Sequence, residues 1–315
     1  MSFTTEVKEE LSRVEPTCSH CNSATLAALI RIEGTLLVSG PGKYRLEVVT
    51  DAPVVARFVI KSLHEMYALK TDLTMRRSVL HKTPNWLIEV PAQPGLNGAL
   101  RDLGILNDEG LERGIDPRLV KKSCCAAAYL RGVFLGSGFI SNPRGDFHFE
   151  LIVETQRLAD DIVELMAKRG ITAKIMTRRN SFIIYLKSGS AISSFLALVG
   201  AHQSALKMEN ERVIKSVRND VNRRVNAEIA NQAKTAEASI DQIQAIKTVL
   251  DHQDISTLPR ALQEYIRLRV RYPDATLREL GEYADPPLTK SAINHRVRRL
   301  EKMAADIDQA KEDED

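Results

Sequence analysis

The sequence of 315 residues has no long hydrophobic run and only four cysteines, one tryptophan and 5% aromatic residues. No apolar stretch approaches the roughly 18 residues that a membrane-spanning helix requires. Residues 1–10 carry four charges and no apolar core, so we expect no signal peptide. Without an export signal, the cysteines need not form disulfides. We therefore expect a cytoplasmic globular protein, and the length allows two domains.

The charge is nearly balanced overall but is unevenly distributed. Forty-four Lys and Arg residues against 41 Asp and Glu residues leave a formal net charge of +3. From Leu258 to Met303, ten basic residues exceed six acids, giving a net charge of +4, whereas from Asp306 to Asp315 six acids and one lysine give −5. A basic segment followed by an acidic tail is typical of nucleic-acid-binding proteins.

A short segment of small and apolar residues occurs twice, 104 residues apart. The first copy runs from Leu26 to Gly34 (LAALIRIEG) and the second from Leu130 to Gly138 (LRGVFLGSG). After each copy, turn signals and hydrophobic periodicity predict two strands, a helix, two more strands and a closing helix. The sequence therefore predicts two αββαββα repeats, at about 22–104 and 122–200.

Both copies resemble the LAGLIDADG motif of homing endonucleases, in which the penultimate residue is an acid. In that resemblance the two motif helices pack side by side, and one acid from each repeat holds divalent metal at the centre. The small residues that permit this packing are retained at Ala27, Ala28, Gly132 and Gly136. One acid is retained at Glu33, but the second position is Ser137, whose hydroxyl is a poor ligand for a hard cation. We therefore predict no catalytic residue and no nuclease activity.

The cysteines form one CxxC pair and one adjacent pair, namely Cys18 with Cys21 and Cys124 with Cys125. A zinc site built from all four is one interpretation. Adjacent cysteines are poor partners in a single tetrahedral site, so we favour buried or incidental thiols and predict no metal site and no cofactor.

Residues 203–255 form a polar stretch without glycine or proline and predict a helical linker. Its basic residues fit either a solvated connector or a surface that rests on phosphate or on another protein. Residues 256–303 then predict three helices arranged as a helix-turn-helix domain, with a capping box from Thr276 to Glu279 and an N-cap at Thr289. Residues 304–315 are predicted to be an acidic tail.

The third helix of this domain has one apolar stripe and one polar face. At 100° per residue, Ile293, Val297 and Leu300 share the stripe. The opposite face carries the short polar groups and cations that a helix in the major groove needs. The predicted DNA contacts of this helix are Thr289, Lys290, Ser291, Asn294, His295, Arg296, Arg298, Arg299 and Lys302. The predicted phosphate contacts of the repeats are Arg76, Arg77, Arg178 and Arg179.

A degenerate two-repeat LAGLIDADG domain joined to a C-terminal helix-turn-helix is similar to the WhiA family of sporulation transcription regulators from Gram-positive bacteria. The resemblance covers essentially the whole chain and rests on residues 26–34, 127–141, 222–234 and 288–300. It implies an α+β fold, with one LAGLIDADG-like domain at 1–202 followed by an all-α helix-turn-helix domain.

The same resemblance implies a non-enzymatic, sequence-specific regulator of sporulation and cell division. It implies nucleoid association and binding to double-stranded promoter DNA. It also implies the iron–sulfur regulator WhiB and RNA polymerase holoenzyme as partners. Two other functions remain open from the residues alone: an active LAGLIDADG-type endonuclease and a protein-binding scaffold.

Overall fold

The predicted αββαββα order occurs twice in the computed structural model, which describes residues 2–40, 42–77 and 84–312. A helix that the sequence analysis did not predict, α1 (Phe3–Leu11), precedes the first repeat. The first repeat contains α2 (Ser19–Glu33), β1 (Gly34–Gly40), β2 (Lys43–Thr50), α3 (Pro53–Tyr67), β3 (Asp72–Arg77), β4 (Pro84–Val90) and α4 (Leu96–Asp102). The predicted end of the third strand, at residues 78–80, lies outside the described residues.

A short connection with a two-stranded hairpin joins the repeats, formed by β5 (Leu106–Asn107) and β6 (Gly110–Leu111). The second repeat contains α5 (Ser123–Ser137), β7 (Gly138–Ile140), β8 (Phe149–Val153), α6 (Gln156–Ala167), β9 (Lys174–Arg178), β10 (Ser181–Leu186) and α7 (Gly189–Val199). The two four-stranded antiparallel sheets have the same strand order, β1-β2-β4-β3 and β7-β8-β10-β9. This identical topology confirms the predicted fold class.

The two motif helices, α2 and α5, approach each other closely because small residues face one another. A Cβ atom on Gly132 would lie 2.5 Å from the carbonyl oxygen of Thr25 and 2.8 Å from the Cβ of Ala28. One on Gly136 would lie 2.9 Å from the side chain of Ile32. The Thr25 hydroxyl also donates a hydrogen bond across the interface to the Ala128 carbonyl oxygen, at 3.0 Å. The backbone of Thr25 leaves no room for a side chain at Gly132, and the side chain of Ile32 fills the space beside Gly136.

The chain divides into two compact units, Met1–Ser216 and Val217–Asp315. The long helix α8 (His202–Leu250) contributes residues to both units and ends five residues before the predicted end of the linker. The second unit continues with α9 (Arg260–Arg271), α10 (Leu277–Glu282) and α11 (Lys290–Glu312). Its core buries Ile246, Val249, Leu262, Tyr265, Ile266, Leu280, Ile293, Val297, Leu300 and Ala304. Among the described residues, no helix is long and apolar enough to cross a membrane.

Helix α11 continues beyond residue 303, the predicted end of the helix-turn-helix domain. Ala304 is buried and Ile307 packs partly against the same core, so the apolar stripe extends by about one turn into the predicted acidic tail. The domain boundaries themselves stay a prediction.

We expect Gly132→Ala to lower the free energy of unfolding by about 1–3 kcal/mol, because the added methyl group meets backbone and Cβ atoms of α2. Gly98→Ala on the exposed surface of α4 is the matched control, since its new Cβ would meet nothing within 4 Å. Urea unfolding of both variants measures the difference. Equal stability of the two variants would contradict the close packing of α2 against α5.

Candidate nucleic-acid interface

A buried arginine holds the turn between α9 and α10. Arg269 is only 2% exposed. Its Nη1 donates to the carbonyl oxygens of Ala275 at 2.6 Å and Pro273 at 3.2 Å. A buried charge that is hydrogen-bonded to the backbone in this way stabilises the turn, and the Ser239 hydroxyl also donates to the Pro273 carbonyl oxygen. Sequence analysis missed this residue among the other arginines of the basic segment.

The start of α10 and the approach to α11 are also fixed locally. The predicted capping box is present, with the Thr276 side chain accepting from the Glu279 backbone and the Glu279 side chain accepting from the Thr276 backbone. A Cβ on Gly281 would lie 2.3 Å from the Leu288 carbonyl oxygen. The segment before α11 therefore lies directly against α10, which sets where α11 begins.

The predicted apolar stripe of α11 is confirmed, and most of the opposite face is open to solvent. Ile293, Val297 and Leu300 are at most 4% exposed. The exposed members of the polar face are Lys290, Ser291, His295, Arg298, Arg299 and Lys302, and Asn294 is half-buried beside them. The Thr289 hydroxyl accepts a hydrogen bond from the Ala292 backbone at 3.2 Å and so caps the helix, as predicted.

Arg296 differs from the other predicted contacts. Its Nη1 lies 2.8 Å from Oε2 of Glu264 on α9, and its side chain is 16% exposed. The guanidinium therefore joins α11 to α9 rather than extending from the polar face. At 100° per residue Arg296 lies 60° from Ile293, near the edge of the apolar stripe, but no sequence pattern identified Glu264 as its partner.

The arginines of the repeats lie on equivalent hairpins, β3–β4 and β9–β10. Arg76 and Arg178 are exposed near the strand ends, and Arg179 lies in the β9–β10 turn with a φ of 56°. The Arg77 backbone ends β3, and its side chain lies outside what the structure describes. These positions are compatible with phosphate contacts at the hairpin tips.

The outer face of the first sheet also carries a row of carboxylates that the sequence analysis did not identify. Glu89 on β4 pairs in register with Glu47 on β2 and with Asp72 on β3. Arg45 lies on β2, two residues before Glu47. Its Nη2 is 3.4 Å from Oε1 of Glu89, so it offsets part of the negative charge of this row. The three carboxylates in this row repel DNA phosphates. The positive charge on this sheet that favours DNA binding is therefore at the end where Arg76 lies.

The outer face of the second sheet has an exposed apolar patch. Phe139, Ile152 and Met176 are 47%, 42% and 45% exposed, and Phe139 and Ile152 alternate with the buried positions of β7 and β8. The two sheets therefore do not present a uniformly basic saddle.

Several basic residues of α8 form ion pairs or hydrogen bonds with nearby groups of the protein. Arg212 lies 2.7 Å from Glu209, and Arg223 pairs with Asp220. Lys215 donates to the Gly145 carbonyl oxygen and lies 4.0 Å from the ring centroid of Phe147. These contacts favour the interpretation of this part of α8 as a connector.

At the C-terminal ends of the motif helices, the two degenerate positions have different environments. The Ser137 hydroxyl accepts from the Ile152 backbone at 3.2 Å and donates to the Val133 carbonyl oxygen at 3.4 Å. Glu33 Oε2 is buried and has no hydrogen-bond partner in the described part of the chain. Burial raises the pKa of Glu33 to about 8, although Thr50 and Lys8 act in the opposite direction. Glu33 is therefore largely protonated at neutral pH.

Helix α1 lies against this same end. The Thr4 hydroxyl donates to the Ile140 carbonyl oxygen at 2.9 Å and accepts from the Ile140 backbone at 3.0 Å. Lys8 Nζ lies 3.5 Å from the Gly136 carbonyl oxygen. A lysine cation thus lies beside the single remaining acid, where a nuclease of this fold would need divalent metal.

At the opposite, N-terminal ends of the motif helices, the four cysteines come together. We call this group the cysteine cluster; it consists of Cys18, Cys21, Cys124 and Cys125. All four sulfur atoms lie within 4.8 Å of one another. Adjacent cysteines are expected to be poor partners in one tetrahedral site, yet the sulfur atoms of Cys124 and Cys125 both lie in this group.

The thiols of the cluster differ in acidity. A hydrogen bond from the backbone of His20 lowers the pKa of Cys18 to about 6. Burial raises the pKa of Cys125 to about 12 and also raises the pKa of Cys21. Cys18 is therefore a thiolate at neutral pH, with two protonated neighbours.

Two αββαββα repeats with paired motif helices, followed by three helices, define a LAGLIDADG-like protein with an appended helix-turn-helix domain. Family models match in the same order: a WhiA N-terminal LAGLIDADG-like domain at residues 19–106, a WhiA LAGLIDADG-like domain at residues 126–218 and a WhiA C-terminal HTH domain at residues 221–304. The chain belongs to the WhiA family.

Curated relatives match over nearly their whole length. A probable cell division protein WhiA from Desulforamulus reducens is 41% identical over 315 residues, covering 99% of this chain and 98% of the relative. One from Heliobacterium modesticaldum is 40% identical, with 96% of each chain covered. The crystal structure of full-length DUF199/WhiA from Thermatoga maritima matches with a TM-score of 0.60 and 24% identity, covering 97% of this chain and 98% of that one. That structural match supports the fold.

Glu33→Gln should change how the stability depends on pH. The pKa of Glu33 rises from its ordinary value of 4.5 to about 8 in the folded chain, so the folded state keeps a proton that the unfolded state loses. Wild-type stability therefore falls as pH rises from about 4.5 to about 8 and levels off above it. The glutamine variant should lack this decline and be more stable than the wild type above pH 8 by about 1–4 kcal/mol.

Urea unfolding between pH 5 and about 9 measures this difference. Glu154→Gln, at an exposed acid in the second repeat, is the control for loss of one carboxylate. A difference between Glu33→Gln and the wild type that does not vary with pH would show that Glu33 is ionised in the folded protein.

Proposed function

We propose that this protein is a sequence-specific, DNA-binding transcription regulator of cell division and sporulation without nuclease activity. The observation that carries the proposal is the polar face of α11, which stays exposed while its apolar stripe is buried in a well-fixed helix-turn-helix. Family membership supports the regulator class, since the chain matches the WhiA C-terminal HTH domain.

The residues of that face differ in their position along α11, and this position distinguishes contacts to bases from contacts to phosphates. Ser291, Asn294 and Arg298 lie on one side and in the first part of α11, which enters a major groove in helix-turn-helix proteins. Their hydroxyl, amide and guanidinium groups are suited to base edges, and a guanidinium can bind guanine through two hydrogen bonds. Arg299 and Lys302 lie further along or around the helix, where a cation is suited to phosphate and positions the protein without selecting sequence.

Three features at the ends of the motif helices support the proposed absence of nuclease activity. Glu33 is buried with a raised pKa, and a protonated carboxyl group binds a hard cation poorly. The Ser137 hydroxyl is engaged with the backbone of its own repeat. Lys8 adds a positive charge beside Glu33. This environment disfavours the pair of shared metals that stabilises both the attacking and the leaving oxygen.

The repeats add a secondary contribution to DNA binding in this proposal. Arg76, Arg77, Arg178 and Arg179 contact phosphates at the hairpin tips. The carboxylate row of the first sheet and the apolar outer face of the second sheet limit how far DNA can extend between those tips. Affinity therefore depends on both units, whereas sequence preference depends on α11.

The cellular role comes from the relatives and from the family resemblance. The relatives are described as probable cell division proteins, and we extend that role to this chain. The resemblance adds sporulation, nucleoid association, and WhiB and RNA polymerase holoenzyme as partners at promoters. Pull-down of each purified partner on promoter DNA, with and without this protein, tests that part of the proposal.

Selection of bound sequences from random DNA by the full-length protein should enrich one motif. On that motif Arg298→Ala should weaken binding by about 1–3 kcal/mol and relax preference at one base pair, because a guanidinium that reads guanine is lost. Lys302→Ala should weaken binding to specific and random DNA about equally. Competition assays at fixed salt concentration measure both effects.

Lys61→Ala, an exposed cation on α3, is the control for removal of one positive charge. If no motif is enriched, the protein is a scaffold that binds DNA incidentally. If a motif is enriched but both α11 variants keep the wild-type preference and affinity, recognition lies in the repeats.

No strand cleavage is expected when the full-length protein is incubated with its selected DNA and Mg²⁺ or Mn²⁺. Glu33 and Ser137 do not supply the pair of ionised acids that such cleavage needs. Gel analysis of end-labelled duplex measures the outcome. Metal-dependent cleavage that disappears in Glu33→Gln would establish the endonuclease alternative.

A further inference from the structure

The geometry of the cysteine cluster matches the coordination shell of one tetrahedral metal ion. Cys18 Sγ lies 3.5 Å from that of Cys21, 3.6 Å from that of Cys125 and 3.7 Å from that of Cys124. Four sulfur atoms bound to one zinc at about 2.3 Å are separated by about 3.8 Å from one another. Thiols scattered through a core at random would not converge in this way.

We propose that the cysteine cluster binds one structural Zn²⁺ ion, which fastens the N-terminal ends of the two motif helices together. Four thiolates close the coordination shell and leave no position for water or substrate, as in structural zinc sites. A tetrahedral set of four sulfur ligands selects zinc or iron–sulfur chemistry over hard cations such as Mg²⁺. In a [4Fe–4S] cluster each thiolate binds a different iron atom, and in a [2Fe–2S] cluster the four thiolates bind two irons in pairs. Both arrangements spread the four sulfurs further apart than the 4.8 Å within which they lie here.

The symmetry of the repeats supports the site independently of the distances. Cys21 and Cys125 are each the third residue of a motif helix and are related by the same offset of 104 residues as the motifs. Both are buried, at 2% and 3% exposure. Close packing of α2 and α5 therefore brings equivalent first turns together. Cys18 and Cys124 complete the set from the half-buried side.

The surroundings suit a negatively charged metal–thiolate group. Zinc with four thiolates carries a net charge of −2, and the first turns of two helices present backbone N–H groups and the positive ends of their dipoles.

The zinc content of the full-length protein tests the proposal directly. The protein is purified under reducing conditions without chelator or metal-affinity tag, and metals are measured by plasma mass spectrometry. We expect about one zinc ion per chain, and X-ray absorption should show sulfur neighbours alone at about 2.3 Å. After removal of the zinc, Co²⁺ should give the absorption spectrum of a tetrahedral tetrathiolate site.

Variants assign the ligands. Cys21→Ser and Cys125→Ser should lose the bound zinc, and their thermal midpoint should fall to that of the metal-free wild type. His20→Ala is the matched control, because His20 lies inside the CxxC segment but is exposed and outside the cluster. It should keep both zinc and the thermal midpoint.

Because loss of a buried thiol can also unfold the chain, the wild-type metal content and cobalt spectrum carry the test on their own. Wild-type protein that contains no zinc and takes up none on addition would overturn the proposal. So would iron with inorganic sulfide in place of zinc, or an absorption spectrum that requires a nitrogen ligand.

Discussion

The close contact between α2 and α5 is the constraint on which the rest of the first unit depends. Two helices can approach to backbone contact only where side chains are absent, and Gly132 and Gly136 meet that condition against Thr25 and Ile32. Each motif helix leads directly into the first strand of its sheet, so fixing the two helices also fixes the two sheets. The same contact brings equivalent helix ends together, which creates two places where side chains from both repeats meet.

The C-terminal and N-terminal ends of this helix pair have opposite electrostatic character, and each end carries side chains that suit it. A helix C-terminus carries partial negative charge and exposed carbonyl oxygens, so it favours a cation, and Lys8 lies 3.5 Å from the Gly136 carbonyl oxygen. A helix N-terminus favours anions, and there the cysteine cluster brings its sulfurs together. The end that would hold catalytic metal in a nuclease has a neutralised acid and a lysine. The other end has the donor set of a closed structural metal site.

Periodicity and local turn chemistry predicted the order of elements, the two repeats, the capping box and the apolar stripe of α11, because these depend on residues close in sequence. They could not predict contacts that join distant residues. Examples are the ion pair of Arg296 with Glu264 and the placement of α1 across the motif-helix ends. The cysteine cluster shows a signal that was present but unused, since Cys21 and Cys125 share the offset of the motifs. The offset of 104 residues holds for cysteine as well as for the motif, and it therefore predicts that these two thiols lie close together.

The two units differ in which of their charged side chains remain exposed. In the first unit the outer sheet faces carry a carboxylate row and an apolar patch, and arginines occur at the hairpin tips. In the second unit, buried Arg269 and the Arg296–Glu264 pair use two cations to hold helices, which leaves Arg298, Arg299 and Lys302 exposed on α11. Cations fixed by partners shape the domain, and exposed cations are available to DNA. A basic sequence segment therefore overstates the charge available for binding, because some of its arginines already neutralise groups within the protein.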